Sequence, residues 1–295
     1  MLLAIRFGFI LALLVSVCGR SASGLADKPL MPLVTTVAAD DPLVTRWEGD
    51  VKNLETLDRS SLHPANAILF IGSSSIRLWD TIADDMSPNA VIRRGYGGAT
   101  YRDLCHFASR LVTAHQPRAI VIFVANDITS PETSPDPEQV MIDVRATQAQ
   151  IRARHPEVPI FYVAVTPTES RWSVWPTVQR LNRMIEEMCR DASHSFFIPT
   201  ARHFLDTTTG RPVPELFRDD RLHLSRAGYK VWAGVIRAAL DHALAPATAA
   251  PAEVSPRHES LAAVDGGLTR ASHTYRRDPP LRRQPPRKGR SHRCR

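Results

Sequence analysis

The stretch "ILFIGSSSIRLW", Ile68–Trp79, decides how this chain is read. Four apolar residues run unbroken into Gly72, and three serines follow: Ser73, Ser74 and Ser75. A continuous apolar run bounded by Asn66 and Gly72 marks a strand buried on both faces, because a strand with one wet face would alternate. The same kind of run recurs in "AVIRRG", "RAIVIFVAND", "VPIFYVAVTP" and "HSFFIP". Between these runs lie segments with helical apolar spacing. "TYRDLCHFASRLVTAH" carries Leu104, Phe107, Leu111 and Val112 on one side. "PEQVMIDVRATQAQIRARH" opens on Pro137, a favoured first helical residue. "PTVQRLNRMIEEMCRDA" and "SRAGYKVWAGVIRAALDHAL" complete the set. Strands alternating with helices imply a mostly parallel sheet covered on both faces. The expected fold is α/β: a three-layer α/β/α sandwich, flavodoxin-like, with about five parallel strands and its active groups at their carboxyl ends.

Outside this core the composition changes. Residues 1–24, "MLLAIRFGFILALLVSVCGRSASG", place Arg6 ahead of an apolar run from Phe7 to Val17 and then small residues, the pattern of a secretory signal. The run is too short to span a bilayer, which takes roughly 20 residues. Cys18 would permit lipid attachment and hence a membrane anchor. Val17 before it is bulkier than such a site takes, so cleavage near Ser23 or Gly24 is expected, with the protein exported to the periplasm or medium. Residues 25–45 are aperiodic and read as a linker, and Trp47–Leu57 as a short helix. The folded domain is expected over residues 46–244. Residues 245–295 read as an Ala/Pro linker and a basic tail that cannot build a core. The formal charge of +7 belongs to that tail: residues 270–295 hold ten arginines and lysines against Asp278 alone. A basic folded face is therefore excluded, and no nucleic-acid partner is expected. Export would leave Cys105, Cys189 and Cys294, an odd number without metal-ligand spacing, with Cys105 and Cys189 read as buried free thiols.

Polar and glycine-rich sites follow the expected strands. Gly72-Ser73-Ser74-Ser75 comes after the first, "RRGYGGAT" after the second, and Asn126-Asp127 after the third. "DDRLHLS", with Asp219, Asp220 and His223, precedes the last helix. "GSSSIR" lacks the Gly-Lys ending of a phosphate-binding loop, and "GYGGAT" lacks dinucleotide spacing. The histidines are scattered, so neither metal nor cofactor is expected. Acyl transfer fits better. It requires a serine, a base, a carboxylate to orient the base, and donors for the oxyanion. Asp220 and His223, three residues apart, would share a face of a helical turn. The serine would come from the turn at Gly72.

Taken in order, these blocks resemble the SGNH hydrolase superfamily, the GDSL-type esterases and lipases, over about Ala67 to His242. "FIGSSS" is similar to the family's strand followed by Gly-Asp-Ser. Matching glycine to glycine puts Ser73 at the acid's position and Ser74 at the nucleophile's. "RRGYGGAT" is similar to the second block and places the oxyanion glycine at Gly98. "VAND" is similar to the third, with Asn126 as its functional asparagine, and Asp220–His223 matches the last. The resemblance implies Ser74, His223 and Asp220 as catalytic residues, with Ser74, Gly98 and Asn126 as the oxyanion hole. It implies no cofactor and no metal. Two departures stand out: Ser73 replaces the acid, and Val124 replaces a glycine, which would crowd or reshape the acyl pocket.

The function so implied is a serine esterase acting on short acyl esters, of sugars or lipids among them. Transfer to a sugar hydroxyl, or envelope or carbohydrate binding without turnover, are the alternatives. Trp172 and Trp175, in "TPTESRWSVWP", would wall a substrate cleft or pack on the closing helix. Asp127 is expected to cap the next segment, the alternative being a hydrogen bond within the site. His106, His115, His194 and His203 have no partner pattern and are read as surface or packing residues.

Overall fold

The structure, a computed structural model, describes residue 38 and residues 40–60 and 63–245. The signal-like segment, Cys18, Cys294, most of the expected linker and the tail beyond Ala245 lie outside the described residues. Helix α1 (Pro42–Ser60) begins before the expected helix, inside the segment read as linker. Asp41 sets its start: its carboxylate accepts the Leu43 N–H at 2.9 Å and its carbonyl accepts that of Thr45. Pro42 then takes the first helical position, where no N–H is needed.

Five strands form the sheet: β1 (Ile68–Gly72), β2 (Val91–Gly95), β3 (Ala119–Phe123), β4 (Ile160–Val163) and β5 (Ser195–Ile198). Their order is β2-β1-β3-β4-β5, and every pairing is parallel. The helices are α2 (Ser74–Arg77), α3 (Ile82–Met86), α4 (Tyr101–Thr113), α5 (Pro137–Arg152), α6 (Trp175–Asp191) and α7 (Arg226–Leu244). The short α2 and α3 were not expected from the apolar spacing, because neither is long enough to express a helical period.

Alternation along the strands divides the core into two layers. Leu69 and Ile71 join Ile120, Ile122, Ile160 and Tyr162 on one face, against α1, α4, α5 and α6. Ile68 and Phe70 join Val121, Phe123 and Phe161 on the other, with Trp79, Ile82, Trp232 and Ile236 from the segments that include α3 and α7. Each fully buried aliphatic or aromatic side chain contributes roughly 1.5–3 kcal/mol of transfer free energy. Both faces of the central strands are therefore dry, which is why β1 and β3 read as unbroken apolar runs. No helix among the described residues is long and apolar enough to cross a membrane.

Because all five strands run parallel, their carboxyl ends open on one edge. Order reverses between β1 and β3, and in such sheets this switch point is where a crevice opens for ligands.

Candidate active site

The first side of the crevice is made by a forced turn. Gly72 adopts φ +129°, a conformation open to glycine, and a Cβ there would overlap the Phe123 carbonyl oxygen. The Ser73 N–H donates to that same carbonyl at 2.9 Å, pinning the exit of β1 to β3. The chain therefore leaves the sheet abruptly. Ser73 is buried at the N-cap position of α2, without a side-chain cap hydrogen bond, and Ser74 is the first helical residue. Ser75 lies inside the helix, and its carbonyl accepts the Tyr229 hydroxyl at 2.9 Å.

Ser74 faces the turn that precedes α7. Its Oγ lies 3.1 Å from His223 Nε2, and His223 Nδ1 lies 2.6 Å from Asp220 Oδ2. The Asp220–His223 pair does not sit on a helical turn as the spacing suggested. Arg221 takes a left-handed conformation, φ 55°, and Asp220 Oδ1 accepts the N–H groups of Leu222 and His223 at 3.0 and 2.9 Å. A short carboxylate that bonds its own downstream backbone competes successfully with helix geometry. One oxygen of Asp220 thus builds the turn and the other holds the imidazole. Burial acts to raise the Asp220 pKa, but the hydrogen bonds from the His223 side chain and from the two backbone groups outweigh it and hold the carboxyl down at about 2. Asp219, next in the chain, is exposed, and the partner of His223 Nδ1 is Asp220.

The second side comes from the loops after β2 and β3. Asn126 is held at both ends of its amide: Nδ2 donates to the Ala99 carbonyl at 3.0 Å, and Oδ1 accepts from Arg171 Nη2 at 2.9 Å. Gly98 lies against it, since a Cβ on Gly98 would stand 3.8 Å from Asn126 Nδ2. The β2–α4 loop is fixed by Asp103, whose carboxylate accepts from Thr100 N–H at 2.8 Å, the Thr100 hydroxyl at 2.6 Å and the Tyr96 hydroxyl at 2.5 Å. Asp127 Oδ1 accepts the N–H of Tyr101, the first residue of α4, at 2.8 Å. Its burial pushes its pKa up to about 7. The ring of Trp47 on α1 covers the same loop, and a Cβ on Gly97 would overlap it.

The resulting cleft, about 560 Å³ including its open mouth, is lined by Ser74, Asn126, Arg171, Trp175 and His223 among others. Of the two tryptophans, Trp175 is buried and lines the cleft, whereas Trp172 stands one ring back, stacked on Trp175 with centroids 6.3 Å apart. Arg211, paired with Glu169, covers the Trp172 ring at 4.4 Å. Val124 does not crowd the cleft as expected from its replacing a glycine. It is buried in the core on the α4 side, and Ala125 and Asn126 form the wall instead. Arg171, Thr166 and Thr168 were not singled out from the sequence, although all three follow β4 at the edge where the other loops meet.

One cluster away from the cleft also escaped sequence spacing. Asp58, His63 and His115 bring possible ligand atoms within 4.8 Å of one another. The Arg94 guanidinium already occupies this group, with Nη2 2.5 Å from Asp58 Oδ1 and 3.0 Å from His63 Nε2. Two of the three, Asp58 and His63, are therefore already engaged by an arginine. Cys105 and Cys189 are free and buried, and burial pushes both thiols up to about 12.

The GDSL-like lipase/acylhydrolase family matches this chain over residues 72–231. No curated protein matches it in sequence. Among solved structures, a Streptococcus pneumonia protein assigned as a platelet activating factor is similar at 20% identity and TM-score 0.57, covering 66% of this chain and 93% of its own. A GDSL-like lipase from Bacteroides thetaiotaomicron VPI-5482 is similar at 18% identity and TM-score 0.57, covering 66% of this chain and 98% of its own. At such identities the likeness is one of fold.

Proposed function

The chain belongs to the GDSL-like lipase/acylhydrolase family, and on that premise we propose that it is a serine esterase, cleaving carboxylic esters through an acyl-enzyme. The observation that carries this reading is the unbroken relay from Ser74 Oγ through His223 to Asp220, at 3.1 and 2.6 Å. Ser74 Oγ attacks the ester carbonyl while His223 Nε2 takes its proton. Asp220 keeps the Nδ1 proton in place, so that Nε2 presents a lone pair to the serine, and it stabilises the imidazolium that forms.

The oxyanion is met by the N–H groups of Ser74 and Gly98 and by Asn126 Nδ2. The Ser74 N–H opens α2 and has no helical carbonyl to bond. An amide nitrogen carries two hydrogens, so Asn126 keeps one after serving Ala99. His223 then returns the proton to the leaving alcohol. In the second half it draws a proton from water, which attacks the acyl-enzyme and releases the acid. The substrates in this reading are small-molecule esters, short acyl esters of sugars or lipids among them, received in a cleft that Trp175 helps to wall.

The test uses the full chain with p-nitrophenyl acetate and butyrate, together with a fluorophosphonate probe. Hydrolysis and a single label on Ser74 are expected, both abolished in Ser74→Ala. A label on another residue, or full turnover by Ser74→Ala, would sink the assignment.

A further inference from the structure

Arg171 is the arginine in the cleft lining. Of the other buried or half-buried arginines, Arg93, Arg94 and Arg110 pair with an aspartate or glutamate, and Arg152, which does not line the cleft, spends its donors on three backbone carbonyls and the Ser195 hydroxyl. Arg171 has no carboxylate within ion-pair distance among the described residues. It is half-buried in the cleft wall, with Nη1 on the Ala125 carbonyl at 2.6 Å and Nη2 on Asn126 Oδ1 at 2.9 Å, both neutral acceptors. Burial lowers its pKa, and no charged neighbour offsets that effect. A guanidinium offers five N–H donors, and these two bonds leave three.

Thr166 and Thr168 line the same cleft. Their hydroxyls are buried just behind its surface and have no hydrogen-bond partner among the described residues. The loop that carries all three is fixed across the cleft, because the Ser170 N–H donates to the Arg221 carbonyl at 3.3 Å, in the turn that holds His223. An unpaired cation and two idle hydroxyls in a protein wall are destabilising unless something supplies the missing acceptor. Of the carboxylates around the site, Asp220 is committed to His223 and its own turn, and Asp127 faces the N–H of Tyr101, neither forming an ion pair with Arg171.

A carboxylate is the acceptor that this set fits. Its two oxygens match the fork of a guanidinium and leave lone pairs for neighbouring hydroxyls. We propose that Arg171, Thr166 and Thr168 form a recognition site for a carboxylate carried by the ester substrate. This rests on the esterase reading of Ser74 and narrows it: the preferred ester is anionic. The carboxylate belongs either to the acyl part, as in a half-ester of a dicarboxylic acid, or to the alcohol part, as in an acylated hydroxy acid.

Two matched ester pairs separate these sources on the full-length protein. Mono-p-nitrophenyl glutarate against p-nitrophenyl pentanoate places the charge on the acyl side. 4-Acetoxybenzoate against its methyl ester places it on the alcohol side. The wild type is expected to favour the charged member of one pair by about tenfold or more in kcat/KM, equivalent to ~1.4 kcal/mol. Arg171→Met brings that ratio to about one or below, and Arg171→Lys retains part of it. The ratio within each variant is the readout, since losing the bond to Asn126 lowers both members together.

Calorimetry with glutarate and 4-hydroxybenzoate gives a second measurement that needs no turnover. One of the two binds the wild type and binds Thr168→Val more weakly, which decides the matter even if Arg171→Met fails to fold. Hydrolysis without charge preference in either pair, or a preference that survives Arg171→Met, overturns the carboxylate site while leaving the esterase reading standing. Carboxylate binding without hydrolysis of any ester, and without fluorophosphonate labelling of Ser74, overturns the esterase reading and leaves the anion site.

Discussion

Replacing Asp220 by asparagine separates the two tasks of this side chain. Oδ1 accepts the backbone N–H groups of Leu222 and His223, and Oδ2 faces His223 Nδ1 at 2.6 Å. Asparagine keeps an oxygen for the backbone pair, so the turn at Arg221 survives. Its amide nitrogen then faces Nδ1 and donates, which forces the imidazole proton onto Nε2 and removes the lone pair aimed at Ser74. The wrong tautomer lowers kcat by about 10⁴, the size of loss that the same change gives in the Ser-His-Asp template.

The stability cost is small by comparison. The fall in the Asp220 pKa from 3.8 to about 2 corresponds to about 2.5 kcal/mol at ~1.36 kcal/mol per pH unit. The side chain is 47% exposed, and solvent screening cuts this to about 1 kcal/mol. Because the folded pKa is depressed, that contribution is present above pH 3.8 and is lost as pH falls through about 2. Asp220→Ala loses both backbone bonds as well and is less stable than Asp220→Asn. The assays are steady-state hydrolysis of p-nitrophenyl acetate and thermal unfolding of both variants at neutral pH. If Asp220→Asn keeps more than about a tenth of wild-type kcat, the tautomer argument is wrong.

Asn126→Ala removes one oxyanion donor and is expected to lower kcat by about 10²–10³ with little change in KM; a loss under about threefold would remove Asn126 from the hole. Gly97→Ala drives a methyl into the Trp47 ring and is expected to cost about 1–3 kcal/mol with a shift in tryptophan fluorescence. Gly98→Ala, where a Cβ finds only ordinary contacts beyond 3.6 Å, is expected to leave stability within about 0.5 kcal/mol, so equal losses in the two variants would contradict the packing. His115 is buried beside Asp58, Arg94 and His63, and desolvation, which the Asp58 charge only partly offsets, lowers its pKa from 6.5 to about 4. The unfolded chain therefore takes up this proton first, and about 2–3 kcal/mol of stability is lost as pH falls from 6.5 to 4. Urea unfolding at pH 7 and pH 4.5 checks this, and His115→Phe is expected to flatten the dependence.

The fold was largely legible because its signal is local. The runs at Ile68–Ile71 and Ala119–Phe123 are apolar at every position, which a sheet covered on both faces requires. Boundaries were less legible where a side chain outweighs the period. Asp41 starts α1 ahead of its apolar stripe, and "VAND" leaves the strand at Phe123 because Asn126 and Asp127 are drawn to Ala99 and Tyr101. Spacing put Asp220 beside His223, and the two lie 2.6 Å apart, but on a different backbone from the one expected: the carboxylate's bonds to its own turn, with Arg221 at φ 55°, replace the helix.

The sequence by itself determined the order of strands and helices, the glycine that turns the chain out of β1, and the short-range pairs Gly72–Ser74 and Asp220–His223. These depend on residues a few positions apart, whose geometry is set by local sterics and hydrogen bonds. Only the tertiary structure decided that Trp47 roofs Gly97, that Arg94 fills the gap between Asp58 and His63, and that Arg171 reaches Asn126 from the far side of the cleft. Those partners are tens of residues apart and meet because of strand order and loop path, which no periodicity in the chain encodes. The unpaired charge of Arg171 is of this kind: an arginine in "TESRW" looks solvated until the fold leaves it inside a wall without a carboxylate.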